Sequence, residues 1–489
     1  PKNGEAYINL GAVLRDAGKP FAALSTIKQG LELTKRAEAR ASVVGVLNEL
    51  GRSDEAINFA LEAIREMPEN PSLISTFLWA SHYHPGGFLK NGGVADALRF
   101  GRIISQGAQV FNSHRSRLKR SPQAALRVGF VTGDLCNHPV GYFLEALLGH
   151  INQIKIELIA YPTRAREDDL TDRIKPYFSK WHPLVGLSDE EAAKRIHEDG
   201  VHILIDLAGH TAGNRLPVFA YKPAPVQVTW LGYFATTGVK EIDYILGDPY
   251  VTPESESDHF VEKIWALPET YCCFSPPVGA PEIAELPALS NGYVTFGCFN
   301  NLAKVNERVI ELWGRVLQAV PGSKLLLKTK ALADQAVRAR ITEQFQAQGV
   351  TPDRLILEGP APRVELLGAY GRVDIALDPF PYPGGTTSAE ALWMGVPVLT
   401  KRGDRFLSHV GETVAHNAGQ SEWIAKDDAE YVQKAVSFTQ DLPSLAARRA
   451  SMRTQLLASP LYDAKRFAQH FTEAMHGMWK TYQDSLKNR

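Results

Sequence analysis

From Glu5 to about Asn70 the chain follows a helical pattern that repeats itself. Leu10-Gly11 is answered by Val44-Gly45, Gly18 by Gly51 and Ala23 by Ala56, at offsets of 34, 33 and 33 residues. Small residues at these places let two helices of a hairpin approach closely, and Gly18 and Gly51 suit the turn between them. Pro68 falls where such a unit would end, and an ordinary helical bundle is the plain alternative. A third helical stretch, roughly 71–120, fits less well and contains the breaks Pro85-Gly86-Gly87 and Gly92-Gly93. Stacked helix pairs leave a concave groove suited to extended peptides. Two units are fewer than the three usually needed for stability, so they are expected to lean on the next domain or to continue upstream of Pro1.

After Pro122 short β-branched runs alternate with helical patterns. They are Arg127–Thr132, Ile156–Tyr161, Val201–Leu207, Val226–Trp230 and Ile242–Leu246. A Pro-rich stretch, Ser275–Pro287, precedes a second series at Tyr293–Phe296, Lys324–Lys328, Arg354–Leu357, Asp374–Leu377 and Pro397–Thr400. Strands separated by helices read as parallel sheets of βαβ units. The expectation is an α/β chain with two doubly wound domains facing across a cleft, preceded by an all-α region. The divisions are 1–120, 121–288 and 289–489, with helices after Asp427. Ligands in such sheets bind beyond the carboxyl ends of the strands.

Composition narrows the function. Of 489 residues 44% are hydrophobic and 22% charged, ordinary globular values that exclude a disordered or collagen-like chain. A formal charge of -1 gives no global field toward nucleic acid or anionic lipid. The basic run His114–Arg120 is read as a solvated linker, with nucleic-acid binding the weaker alternative. No apolar run approaches a membrane span, and no signal-peptide pattern shows in the first thirty residues. Four cysteines are too few for a disulfide framework, so a reducing cytoplasm is expected.

The strand Asp374–Leu377 leads into Asp378-Pro379-Phe380-Pro381-Tyr382-Pro383-Gly384-Gly385-Thr386-Thr387-Ser388 and then a helix. Glycines and hydroxyls at a helix start expose N–H groups and the positive end of the dipole to an anion. Thr386 and Thr387 can donate to phosphate oxygens, with one of them also capping the helix. Glu390, one turn in, could accept from ribose hydroxyls. No Walker pattern occurs, which argues against a P-loop ATPase. Phe299-Asn300-Asn301-Leu302-Ala303-Lys304 follows the strand that opens the second series, and the Lys304 ammonium suits a diphosphate. No Asp-x-Asp motif offers a metal ligand pair, so leaving-group charge would fall to Lys304 and the helix start. In the first series, His138 lies just past the strand Arg127–Thr132, and His210 just past Val201–Leu207. Either imidazole can act as acid, base or donor near neutral pH. Asp199 precedes its strand, which ordinarily points away from the ligand edge, so geometry ranks both histidines ahead of it.

These residues carry a resemblance. Repeats at tetratricopeptide spacing, joined to Asn137-His138-Pro139, Phe299–Lys304 and Gly384-Gly385-Thr386-Thr387, resemble the O-linked N-acetylglucosamine transferases over about 125–475. The segments Asp206–Thr211, Lys222–Tyr233 and Asp378–Pro397 are the most specific. The resemblance implies a GT-B fold and an inverting transfer from UDP-GlcNAc to protein Ser or Thr. No cofactor or metal is implied, and the acceptor protein or peptide would arrive through the repeat groove. Nucleic acid and membrane are not expected as partners. By the same resemblance His138 matches a histidine described as general base or as positioning group, and Asp199 an aspartate also proposed to be catalytic. Lys304 matches the lysine on the diphosphate, and Asn301 stands where the family commonly has Gln. Ala361 and Arg363 match uracil contacts, Thr386 and Thr387 the phosphate-binding threonines, and Glu390 a ribose-binding Asp. Leu366 and Gly385 stand where the animal enzymes carry nucleotide-contacting histidines. The stretches Asp206–Thr211 and Asp378–Pro381 look closer to the SPINDLY branch, members of which can transfer fucose from GDP-fucose. A protein O-fucosyltransferase and a non-catalytic, nucleotide-sensing scaffold are therefore the rival expectations.

Overall fold

The computed structural model describes residues 3–34, 36–86, 93–112, 114 and 124–487. Gly87, Gly92 and residues 115–120 of the basic run lie outside them. Contacts group the chain into two compact units: described residues of 1–88 with Pro276–Ser459, and those of Leu89–Ser275 with Pro460–Arg489.

In the first unit the repeat pattern becomes α1 (Gly4–Asp16), α2 (Pro20–Leu33), α3 (Ala37–Glu49), α4 (Ser53–Glu66) and α5 (Pro71–Ser81). Asn3 caps α1 by accepting from the Glu5 and Ala6 N–H groups, and Asn70 caps α5 by accepting from Leu73. Gly18 and Gly51 take φ of +73° and +69° at the hairpin turns, where a side chain would be strained. Ala23 and Ala56 are fully buried. A Cβ on Gly11 would stand 2.2 Å from Ile27, so only glycine allows α1 and α2 to meet there.

Every strand pairing among the described residues is parallel. The second unit holds β1 (Leu126–Thr132), β2 (Ile156–Pro162), β3 (Lys180–Trp181), β4 (Ile203–Asp206), β5 (Val226–Thr229), β6 (Tyr244–Gly247) and β7 (Lys263–Ala266), in the order 3-2-1-4-5-6-7. The first unit holds β8 (Thr295–Cys298), β9 (Lys324–Lys328), β10 (Leu355–Glu358), β11 (Ile375–Leu377), β12 (Val398–Lys401) and β13 (Ile424–Ala425), in the order 10-9-8-11-12-13. Both are the doubly wound order, which reverses direction between the first and fourth strands and opens a crevice there. In the first unit the reversal lies between β8 and β11; in the second it lies between β1 and β4.

Packing regroups two helices relative to the divisions expected from sequence. Helix α6 (Val94–Ser105) belongs with the second unit, where Gly101 is so close to Gly238 that a Cβ would stand 1.9 Å from its carbonyl oxygen. The final helix, Ala464–Lys487, also packs on that unit's sheet. Its buried stripe of Phe467, Phe471, Ala474, Met475 and Met478 repeats every three to four residues. Phe471 meets Trp230 at 5.2 Å between ring centroids and Phe130 at 6.5 Å.

Candidate functional site

At the exit of β8, Asn301 accepts from the Ala303 N–H at 3.0 Å and caps a single turn, Leu302–Lys304. That turn brings the half-buried Lys304 back toward the loop that follows β11. Its ammonium donates to the Pro383 carbonyl at 2.8 Å and to Asn300 Oδ1 at 3.3 Å, and lies 3.8 Å from the centroid of the Tyr382 ring. Burial lowers the Lys304 pKa to about 8, against the pull of Asp378 and Cys298.

The β11 loop is closed by a carboxylate. Asp378 Oδ1 accepts from the Gly384 N–H at 2.7 Å and from Ser388 Oγ at 3.1 Å, which pins the loop to the helix Thr386–Trp393. Burial raises the Asp378 pKa to about 6, opposed mainly by the Gly384 N–H. The cap of this helix is Gly385, not a threonine as expected, because helical geometry already begins at Thr386. Both threonines therefore sit in the first turn, where N–H groups have no intrahelical partner. Thr387 Oγ1 donates to Asn300 Oδ1 at 2.8 Å, so Asn300 links the threonine to Lys304. Thr386 Oγ1 is buried with no protein partner among the described residues. A Cβ on Gly385 would meet nothing within 4 Å.

Glu390 is buried on the same helix with Arg363 Nη2 2.7 Å from its Oε1. Burial raises its pKa and Arg363 draws it back. Arg363 opens the helix Arg363–Ala369; Ala361 just precedes it, and half-buried Leu366 lies on it. Lys304, Asn301, Thr386, Thr387, Gly385, Glu390 and Arg363 thus belong to one unit. Their loops leave β8, β10 and β11, with the first and last of these flanking the point where strand order reverses.

In the second unit the three predicted residues part company. His138 caps the helix Pro139–Leu148, its Nδ1 accepting from the Val140 N–H at 3.3 Å, with Asp134 Oδ2 3.6 Å from the same nitrogen. Burial lowers its pKa, and Arg164 and Arg166 add to that against Asp134. The neutral ring that accepts at Nδ1 carries its proton on Nε2, so the imidazole presents a donor. Asp199 closes the helix Asp189–Glu198 ahead of β4, whereas His138 follows β1, and the two strands are parallel. The fold therefore puts these residues at opposite strand ends. Asp199 accepts from Tyr161 at 2.9 Å and from Lys180 at 3.0 Å, and meets His182 Nδ1 at 2.8 Å. Burial pushes its pKa up, but these three partners hold it below the usual carboxylate range. His210 does follow β4, yet it is 3% exposed. Its Nε2 meets the Thr237 carbonyl at 3.0 Å, and its ring meets Phe100 of α6 edge-on at 4.6 Å. Burial lowers its pKa to about 4.

Sequence reasoning gave no role to Asp378, Asn300 or Tyr382, although all three lie in the two loops it singled out. The signal available was position, immediately past strands on either side of the order reversal. Among the described residues no three His, Cys, Asp or Glu side chains gather as metal ligands would, and no helix is long and apolar enough to cross a membrane.

The model of glycosyl transferase family 41 matches residues 97–275 and 284–471. The chain belongs to that family. It is 36% identical over 394 residues to the Petunia hybrida protein named probable UDP-N-acetylglucosamine–peptide N-acetylglucosaminyltransferase SPINDLY, covering 79% of this chain and 41% of that one. The Arabidopsis thaliana protein named SEC, with the same probable activity in its name, is 30% identical over 369 residues, 73% of this chain and 37% of that one. The chain thus spans about two fifths of the length of the curated relatives it matches. Among solved structures, a mutant of the Thermobaculum terrenum O-GlcNAc transferase superposes with a TM-score of 0.93 at 31% identity, covering 99% of this chain and 92% of that one. The expected fold class, α/β of GT-B type behind an all-α repeat region, is the one found.

Proposed function

We propose that this family 41 member is an inverting, metal-independent glycosyltransferase that moves N-acetylglucosamine from UDP-GlcNAc to Ser and Thr hydroxyls of proteins. The observation that carries the reading is the convergence of Lys304 with the first turn of the Thr386–Trp393 helix through Asn300. An ammonium, two hydroxyls and the free N–H groups of a helix start make an anion site suited to a departing nucleoside diphosphate. Glu390 and Arg363 supply a ribose acceptor and a base-side donor, with Ala361 and Leu366 beside them. The open space at Gly385 leaves room along the nucleotide.

In this reading the acceptor oxygen attacks the anomeric carbon on the face opposite the diphosphate. The bond from that carbon to the phosphate oxygen breaks, its electron pair leaves with UDP, and the hydroxyl proton passes to the departing diphosphate or to solvent. Charge grows on the leaving group as the bond stretches, so groups fixed beforehand on that charge lower the barrier. His138, neutral and with Nε2–H left as a donor, supports orienting substrate more than accepting a proton. The acceptor peptide is assigned to the repeat groove and the reaction to the cytoplasm. Asp199, at the opposite strand end, and His210, enclosed against Phe100, are read as structural.

GDP-fucose is the second reading, favoured by 36% identity to SPINDLY-named relatives against 30% to SEC and by Leu366 and Gly385 at the nucleotide positions. Thermal unfolding with UDP, UDP-GlcNAc, GDP and GDP-fucose, each with and without EDTA, separates the two. A ligand at 100 times its Kd adds about 2.7 kcal/mol to stability. Stabilisation by uridine nucleotides that EDTA leaves unchanged is expected. Stabilisation by guanosine nucleotides alone would move the function to fucosyl transfer, and loss with EDTA would contradict metal independence.

A further inference from the structure

The helical repeats touch the Lys304 turn and the Tyr382 loop at two separate places, all within the first unit. At the first, the α3–α4 turn lies against the lysine-bearing turn. A Cβ on Gly51 would stand 3.5 Å from the Val305 carbonyl oxygen and 3.9 Å from that of Leu302. Arg340 Nη1 fastens the same turn by donating to the Leu50 carbonyl at 2.7 Å. At the second, just past α5, the buried ring of Tyr83 sits 5.2 Å from the ring of Tyr382, tilted by 44°. Trp79 of α5 backs Tyr83 edge-on at 5.1 Å. His84 Nε2, 2.7 Å from Asp54 Oδ1, ties the segment after α5 to α4. An aromatic series thus runs Trp79, Tyr83, Tyr382 and ends under the Lys304 ammonium.

A lysine side chain has many rotamers, and an ammonium is useful to a leaving group only where it is already held. Lys304 is held by one carbonyl, one amide oxygen and the face of one ring. The ring is the one of these three that the repeats control. We propose that Tyr83 is a positioning residue for glycosyl transfer: it fixes the Tyr382 ring, which seats the Lys304 ammonium, so that the repeats form part of the donor machinery as well as a groove for peptide. This rests on the reading that Lys304 holds the departing diphosphate. An interaction made mainly in the transition state lowers kcat when lost, with little change in KM. A Tyr83 that merely filled the core would alter the unfolding temperature and leave that ratio alone.

The test uses the full chain and nucleotide release from whichever of UDP-GlcNAc and GDP-fucose the parent turns over, with unfolding curves recorded for every variant. Tyr83→Leu is expected to lower kcat at least about tenfold with donor KM within about threefold, while Tyr83→Phe, which keeps the ring, stays within about twofold of the parent. Tyr382→Leu should give a similar loss, and the double variant should be no worse than Tyr382→Leu alone, as residues acting in series require. Should Tyr83→Leu not fold, Tyr83→Met retains bulk without a ring and carries the same comparison. A kcat near the parent's in the ringless variant, or losses that multiply in the double variant, overturns the proposal. Lys304→Met keeps the two failures apart. If it collapses kcat and the Tyr83 variants do not, only the coupling falls; if it leaves kcat intact, the Lys304 reading falls and the coupling with it.

Discussion

At the scale of single residues, the residues predicted for the site divide by strand end and by enclosure: Asp199 precedes β4, and His210 is covered. Asp199 meets three side-chain partners, and His210 is buried between Phe100 of α6 and Tyr233. For His210 the consequence is measurable. Its folded-state pKa of about 4 lies below the ordinary value of 6.5, so between these pH values the unfolded chain binds the extra proton. Stability from this group is therefore complete above pH 6.5 and declines as pH falls toward 4. The depression corresponds to about 3 kcal/mol. Urea unfolding from pH 7.5 to 4 should show the parent losing stability more steeply than His210→Gln. Parallel pH profiles for the two would mean that the ring is hydrated in solution. The sequence placed His210 correctly past a strand, but not its enclosure, because α6, which covers it, is separated from it by about a hundred residues.

The elements that carry the site were the most legible part of the chain. Ten strands were expected within a few residues of where they form, because each is an apolar run bounded by helical patterns. The three not expected are the outer strands β3, β7 and β13, of which two are only two residues long and the other is partly exposed. The doubly wound order was expected and is found; what the sequence did not reveal is Asn300 as the link between the β8 and β11 loops. The helix that His138 caps offers a test at this scale. Gly141 is pressed against the loop before it: a Cβ would stand 2.3 Å from the Cys136 carbonyl oxygen, a backbone atom that cannot swing away. Gly141→Ala should therefore destabilise by about 1–3 kcal/mol and displace His138. Unfolding midpoints and turnover should both fall, and a midpoint equal to the parent's would show that the loop yields freely.

For the whole molecule, the central lesson is that linear order and packing disagree. The repeats share a unit with the second sheet, while α6 and the last helix join the first. Only the local periodicity of these helices was readable; the repeats dock on the turns after β8 and β11, far along the chain, and the last helix docks back against Phe130 and Trp230. In the proposed function the charge of the departing diphosphate falls on Lys304 and the helix start beside it. Lys304→Met, assayed with UDP-GlcNAc in the presence of EDTA, tests it most directly. A loss of kcat of about 100-fold or more, with donor KM changed less than about fivefold, is the predicted result. Equal losses in binding and turnover, or a kcat that survives the substitution, would contradict it.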